Sequence, residues 1–507
     1  MAITAKMKHL KIPKVSLLFR VAIISLCSWF IGAVIYIIAS RIAYPFDLEW
    51  MEGGSFVQVL RLLEGKPLYV APRLNYIPFI YPPLYYYLSA ILTRISSING
   101  FLPLRLISAA ASTCIAILIY LIVCRRTNSA FWGFIAVGFF AATFQIGGAW
   151  FDIARVDMLY VFFLLFGTYF LENETLAASC LAGFLFTCAF FTKQTAVFVI
   201  FGLLLYVILF RNKKVALITG LIFLISAGFW IVLENTLSGG WFWYYIFSLP
   251  GLHSLSGSGI SYLGQPIFII FPVIIATAVG FLRFLLSPLA VLRGKDNLWL
   301  VFALIMLASS ILGSINPGSF NNNYIPFYVA ISIIFGINLP WLLDRLASPA
   351  LLFRQALLYT LCTAQFLVLL YNPFVHIPTK ADLQAGQAII ASLRAMDGEI
   401  LFPNHNALVV LAGKKPYAHL IALEEIRGNF GRQESRGWNL LSSEISQAIQ
   451  SHKFSAIILD QPNDIWIEVP HYYSESSIIY SSPNVFWPVT GGHTRPSYIY
   501  TPVKPQP

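Results

Sequence analysis

The sequence predicts a polytopic α-helical membrane protein with a small α/β domain at its C-terminal end. Three observations carry this expectation. The 507 residues are 58% hydrophobic and only 11% charged, with a mean hydropathy of +0.73. A soluble chain of this length carries about 25% charge, so most of this surface must meet something other than water. Apolar runs long enough to cross a bilayer, about 20 residues, recur along the chain. The basic residues then fall in alternate loops between those runs, which is how membrane orientation is encoded.

The opening stretch, residues 1–20, holds five basic residues and no acidic one. An apolar run follows from Val21 to Ser40. It is long for a signal peptide, so it is expected to remain as a first transmembrane helix with a cytoplasmic N-terminus. Further apolar runs lie at 104–124, 130–149, 156–171, 176–191, 195–210, 215–233, 264–282, 298–313, 324–343 and 355–371. Together they suggest about eleven spans. Arg125-Arg126, Arg211 with Lys213 and Lys214, Arg283 with Arg293 and Lys295, and Arg345 with Arg354 occupy the loops that should be cytoplasmic. The opposite loops at 234–263 and 314–323 carry no Lys or Arg. One loop departs from the pattern: Glu172-Asn173-Glu174 should be cytoplasmic yet is acidic. Acidic residues weigh little in the rule.

An odd number of spans puts the long first loop, 41–103, and the tail outside the cytoplasm. The chain therefore divides into a membrane module, 1–372, and an extracytoplasmic unit, 373–507. In the tail, Leu383–Met396 has helical periodicity. Residues 398–403 and 454–460 read as strands, with a helix around 441–451 between them. The net charge of +11 reflects the loop pattern rather than a nucleic-acid surface. The six cysteines all lie in or beside apolar runs, so no disulfide framework is visible. Short loops and a compact tail suggest a bacterial inner membrane.

Ionisable residues near a bilayer are costly and usually functional. They gather at four places on the expected outer face. Asp47, Glu49 and Glu52 lie within six residues after the first span. Closely spaced carboxylates suit a general base or a divalent cation; a solvated loop with an acidic helix cap is the plain alternative. Asp152, Arg155 and Asp157 precede the fourth span. Arg at a helix N-terminus makes an anion site, unless it is a local ion pair. Lys193 sits between two apolar runs at the same face and alone would be an interfacial anchor. Asn316 to Tyr324, with four amides, could hydrogen-bond a phosphate or a sugar, or form a polar turn. His405 and His419 read as ordinary polar residues of the tail. His253 and the Trp241–Tyr245 cluster fit an interfacial aromatic belt.

These motifs, in this order, resemble the GT-C superfamily of membrane glycosyltransferases. Within it they resemble the protein O-mannosyltransferase and lipid A aminoarabinose transferase branch. The resemblance covers roughly residues 1–345. It rests on Glu52 to Gly65, Leu68-Tyr69, Tyr81-Pro-Pro-Leu, Arg105, Arg155-Val-Asp157, Lys193 and Asn323-Tyr324. The family's adjacent Asp-Glu is Met51-Glu52 here, with Asp47 and Glu49 upstream. Which of the three carboxylates is the base therefore stays open.

The resemblance implies transfer of a sugar from a polyprenyl-phosphate donor to an acceptor hydroxyl, with inversion. It implies Glu52, Asp47 or Glu49 as base. It implies Arg155, Lys193, Arg105, Tyr324 and Asn323 around the donor phosphate, with Asp152, Asp157 and Tyr81 in support. The expected partners are the lipid-linked donor, membrane lipid, and a glycan, lipid or protein acceptor. The chemistry requires no cofactor; a divalent cation near Asp47, Glu49 and Asp152 is an option. A transporter or flippase of lipid-linked saccharides is the alternative, but charges at helix ends on one face suit an enzyme better than a through path. A binding protein with a degenerate site is a further alternative; the retained Arg155, Asp157 and Lys193 oppose it.

Overall fold

A computed structural model describes residues 14–254, 297–316, 318–345, 352–431, 435–462, 469–478 and 482–503, with a few isolated positions between 267 and 292. The basic start at 1–13 and most of the expected span at 264–282 lie outside the described residues.

Helix α1 runs Lys14–Arg41, α2 Glu52–Leu63, α3 Leu84–Ser96, α4 Leu102–Thr127 and α5 Ala130–Ala142. Next come α6 Asp157–Leu171, α7 Leu176–Thr192, α8 Ala196–Phe210 and α9 Lys213–Leu237. After the partly described stretch come α10 Leu298–Ser314, α11 Ile325–Arg345 and α12 Leu352–Val368. Among the described residues, α1, α4, α9 and the helical run Asn321–Leu343, which contains most of α11, are long and apolar enough to cross a membrane. Helices α5, α6, α7, α8 and α10 are apolar but shorter.

The expected span at 130–149 stops at Ala142. Residues 143–156 continue as irregular backbone, buried except at Gln145 and Ile146. Such backbone survives at membrane depth only where protein groups satisfy its polar atoms. Here Arg41 donates to Ala149 O at 2.7 Å, and the Ala154 amide donates to Glu52 at 2.6 Å. The helix gives way to a loop that carries site residues.

The acidic 172–174 loop also finds its explanation. Glu172 pairs with Arg126 and accepts from Trp299 Nε1 at 3.0 Å, and Glu174 pairs with Arg211 at 2.6 Å. Basic residues of neighbouring loops at the same end of the bundle neutralise it.

The C-terminal region begins with α13, Lys380–Ala395, started by a capping box of Thr379 and Asp382. Strand β1, Glu399–Leu401, leads to α14, Asn406–Leu411, then α15, Leu420–Arg427, and α16, Arg436–Gln450. Strands β2 Phe454–Leu459, β3 Tyr473–Ile478 and β4 Tyr498–Pro502 complete a sheet of order β1-β2-β4-β3. The β1–β2 pair is parallel and the others antiparallel. One face of the sheet and α13–α14 bury Ile389, Leu393, Ile400, Phe402, Leu408 and Ile458. Phe46 of the first loop and Phe486 of the tail join that core, with rings 5.5 Å apart. The C-terminal region therefore packs directly on the segment that holds the three carboxylates.

Candidate active site

The site is built on two buried ion pairs that hold its loops. Arg105 of α4 donates to Glu52 twice, from Nε at 3.1 Å and Nη2 at 2.6 Å. It also reaches the carbonyls of Tyr44, at 2.5 Å, and Phe46, at 2.6 Å. Glu52 further accepts from the Leu48 amide at 2.7 Å. Both side chains have 0% exposure. Arg41 pairs with Asp152, with Nε donating at 2.9 Å, and donates to His376 O at 3.0 Å. One clamp folds the 42–52 turn and the other fixes the 149–155 loop. These buried charges are met by protein groups, as buried charges require: Glu52 by four donors, and Arg41 by Asp152 and two carbonyls.

What these clamps present is a cavity of about 750 Å³ between the bundle and the C-terminal region. Glu49, Tyr81, Arg155, Lys193 and Asn323 line it, with Trp150, Gln194, Asn316 and Asn322. Glu52, Asp47, Arg105, Asp152, Asp157 and Tyr324 do not line it. Of the candidate carboxylates, Glu49 alone stands in the cavity wall.

Glu49 Oε2 accepts from Arg155 Nη1 at 3.0 Å and from the Met51 amide at 3.2 Å. Oε1 lies beside Gly491. Burial pushes the Glu49 carboxyl up to about 7, Arg155 pulls it down, and the neighbouring Glu52 raises it. Arg155 Nη2 also donates to the Tyr81 hydroxyl at 3.2 Å. Lys193 Nζ donates to Asp157 Oδ1 at 2.8 Å, and Trp150 Nε1 donates to Oδ2 of the same carboxylate at 3.0 Å. Asp157 thus sets the ammonium in place from behind. Asn323 donates to Gly313 O at 3.2 Å. Tyr324 is buried and its hydroxyl has no partner among the described residues.

From this polar floor the cavity continues between apolar walls. Phe190, Val197, Phe198, Phe247 and Leu312 line that limb. Phe198 is 58% exposed on the outside of the bundle, so the limb runs toward the surface that lipid would cover.

Asp47 points the other way, into the C-terminal region. His405 Nδ1 lies 3.6 Å from Asp47 and Nε2 lies 3.1 Å from Asp460. Burial opposes a charged His405, but Asp460 and Asp47 overcome it and raise it to about 10. Burial raises the Asp47 carboxyl as well. His419, by contrast, is pushed down to about 3 by burial. Its Nδ1 accepts from the Ile421 amide at 3.2 Å and its Nε2 donates to Trp50 O at 3.1 Å. Neutral His419 therefore ties the start of α15 to the residue after Glu49.

Sequence reasoning gave no role to several residues that shape the cavity. The C-terminal region supplies Ile421, Glu425, Phe430, Gly491 and Gly492 to its wall. Thr490 forms a bridge to Glu49, and its amide donates to Leu48 O at 3.3 Å. A Cβ on Gly491 would come within 2.7 Å of Glu49 Cγ, and one on Gly492 within 2.9 Å of Trp50 Nε1. The adjacent glycines at 491–492 were the available signal. Among the described residues, no group of three His, Cys, Asp or Glu side chains is placed to hold a metal ion.

Residues 81–235 match the dolichyl-phosphate-mannose-protein mannosyltransferase family. Curated proteins give no match. Among solved structures, ArnT from Cupriavidus metallidurans bound to undecaprenyl phosphate is similar at TM-score 0.58 and 12% identity, over 94% of this chain and 99% of that one. The apo form of the same protein gives 0.57 and 12%, over 94% and 98%. An oligosaccharyltransferase from Archaeoglobus fulgidus gives 0.48 and 12%, over 94% and 74%. The chain is a membrane protein of the GT-C fold.

Proposed function

We propose that this GT-C-fold membrane protein is a glycosyltransferase that moves a sugar from a polyprenyl-phosphate donor to an acceptor hydroxyl, with inversion. One observation carries the reading. A carboxylate raised to about 7 shares a cavity with two cations, and the cavity continues into an apolar limb at the lipid-facing surface. The match of residues 81–235 to a mannosyltransferase family supports it. So does the undecaprenyl phosphate bound by the ArnT of the same fold.

In this reading Glu49 is the base. The acceptor oxygen forms its bond to the anomeric carbon while its proton passes to Glu49. The bond from the anomeric carbon to phosphate oxygen breaks, and the polyprenyl phosphate leaves with the electron pair. Its charge grows as it leaves. Arg155 and Lys193 stabilise that charge, and each such group is worth on the order of 10²–10³ in rate. Asn322, Asn323 and Gln194 also line the cavity, and in this reading they hydrogen-bond phosphate or sugar. The polyprenyl chain occupies the limb of Phe190, Phe198, Phe247 and Leu312. Glu52, Arg105, Arg41 and Asp152 act as supports of the loops. The site faces the side away from the cytoplasm, following the loop charges.

The test supplies purified protein in liposomes with radiolabelled polyprenyl-phosphate sugars and a membrane extract as acceptor. Label that moves to a new product with wild type, and stays on the donor with Glu49→Gln, is expected. Label that remains on its lipid but changes leaflet would replace this reading with a flippase.

A further inference from the structure

Besides the polar floor, the cavity has a second group of lining residues that the transfer chemistry at Glu49 does not use. It is made by the C-terminal region and by the segment after α9. Glu425 of α15 pairs with His253 through Oε2, at 2.6 Å. Its Oε1 has no hydrogen-bond partner among the described residues, and the residue lines the cavity. The pair is held from both sides. The Ser254 amide donates to Phe430 O at 2.9 Å, so the segment at His253 is pinned to the chain just beyond α15. His419 anchors the other end of α15 to Trp50 O. Trp50 also lines the cavity, and its indole lies over Gly492. The second wall thus offers an oriented carboxylate, an imidazole and an indole in the same cavity as Glu49.

We propose that Glu425, His253 and Trp50 form the acceptor subsite, and that it takes a neutral saccharide. The inference rests on the glycosyltransferase reading above and names its acceptor class. A carboxylate only accepts hydrogen bonds, so it recognises hydroxyl donors, and two oxygens suit neighbouring hydroxyls. An indole offers a flat apolar face with a polar edge, suited to a sugar ring. Among the described lining residues the permanent cations are Arg155 and Lys193, and both belong to the floor, tied to Glu49 and Asp157. A phosphate on the acceptor would instead meet Glu425, a like charge that opposes it. The wall therefore selects a hydroxyl nucleophile on an uncharged sugar over a phosphorylated one. The glycines at 491 and 492 let that turn pack directly on Glu49 and Trp50, where any Cβ would strike one or the other, and so fix where the carboxylate and the indole stand.

The experiment uses the full chain in nanodiscs. One arm measures binding of a panel of neutral oligosaccharides, their phosphorylated counterparts and Ser/Thr peptides. A second arm measures undecaprenyl phosphate, with Arg155→Ala as control. At least one neutral oligosaccharide is expected to bind, and more tightly than its phosphorylated form. Glu425→Ala should weaken that binding about tenfold to hundredfold, the loss of a charged hydrogen bond, with Glu425→Gln in between. A melting temperature near wild type certifies that each variant is folded, and His253→Ala gives a second variant should Glu425→Ala unfold. Saccharide binding untouched by Glu425→Ala, or preference for phosphorylated sugars or peptides, would overturn the assignment. Undecaprenyl phosphate bound through Arg155 with no saccharide bound would sink the acceptor subsite alone. No binding in either arm would sink the donor reading with it.

Discussion

Glu52 and Arg105 bond one another twice, at 3.1 and 2.6 Å, and neither has any exposure. Glu52 also accepts the amides of Leu48 and Ala154, so four donors surround one carboxylate. The pair joins the turn that presents Glu49 to the loop that presents Arg155. It acts on the site by fixing where those two side chains stand.

Breaking that pair should therefore appear first as lost stability. Glu52→Gln leaves Arg105 charged, buried and half-partnered, which costs about 3–5 kcal/mol. The expected result is a clear drop in melting temperature in detergent. The Glu52→Gln/Arg105→Met double variant should lose less than the two single losses added together, because it removes both charges. A Glu52→Gln protein that melts like wild type would refute the clamp.

Glu49 should behave in the opposite way. Its carboxyl is already costly to ionise, raised to about 7 by burial. Glu49→Gln is expected to lower transfer about 10²–10⁴-fold, the range for a lost general base, with a smaller stability change than Glu52→Gln. The base works ionised, so kcat/KM should climb as pH rises through about 7. Arg155 pulls that carboxyl down, so Arg155→Lys or →Ala should move the rising limb to higher pH if charge geometry is lost. A flat profile between pH 5 and 9 would remove Glu49 from the chemistry.

The bundle and the approximate place of the site were legible because lipid imposes strong rules. A charged residue at a helix end is rare there, and Glu49, Arg155 and Lys193 were visible for that reason. The division of labour among the carboxylates was not legible. Glu49 and Glu52 are three apart and of one chemistry, and only the partners reveal that Arg105 encloses Glu52 while Arg155 leaves Glu49 in the cavity wall. Those partners come from α4 and from the irregular loop before α6, and no local spacing encodes that. Asp47 is a sharper case. Its partner His405 lies more than three hundred residues away, in a region where a histidine is usually unremarkable. The 143–156 stretch misled the span pattern because its apolar composition suits burial in protein as well as burial in lipid.

The glycine at 491 makes a test of shape at the site. It adopts φ +80°, which disfavours any residue with a Cβ, and that Cβ would lie 2.7 Å from Glu49 Cγ. Gly491→Ala is expected to displace Glu49 or the 489–492 turn and to reduce transfer by at least tenfold, while Gly413→Ala, also at positive φ but with open space around it, should leave transfer near wild type. Equal effects at both positions would mean that the 491 turn has no special bearing on Glu49.

His405 joins the first loop to the C-terminal region through two carboxylates, Asp47 and Asp460, at 3.6 and 3.1 Å. The imidazole is 3% exposed, so its charge is worth keeping only while both anions face it. Its value rises from 6.5 in the unfolded chain to about 10. A base raised on folding contributes stability that is fully present below about pH 6.5 and is lost as pH rises through about 10. The melting temperature should therefore fall between pH 7 and 10. His405→Ala strands two buried carboxylates and should cost about 3–5 kcal/mol at neutral pH. Asp460→Asn leaves a weaker cage, so its loss of stability should begin at the same pH, near 6.5, but be smaller and end at lower pH than in wild type. Thermal unfolding of the three proteins across pH 6–10 checks this. Parallel curves for wild type and Asp460→Asn would show that His405 is neutral in the folded chain and that the two regions are held together by apolar packing, as between Phe46 and Phe486, alone.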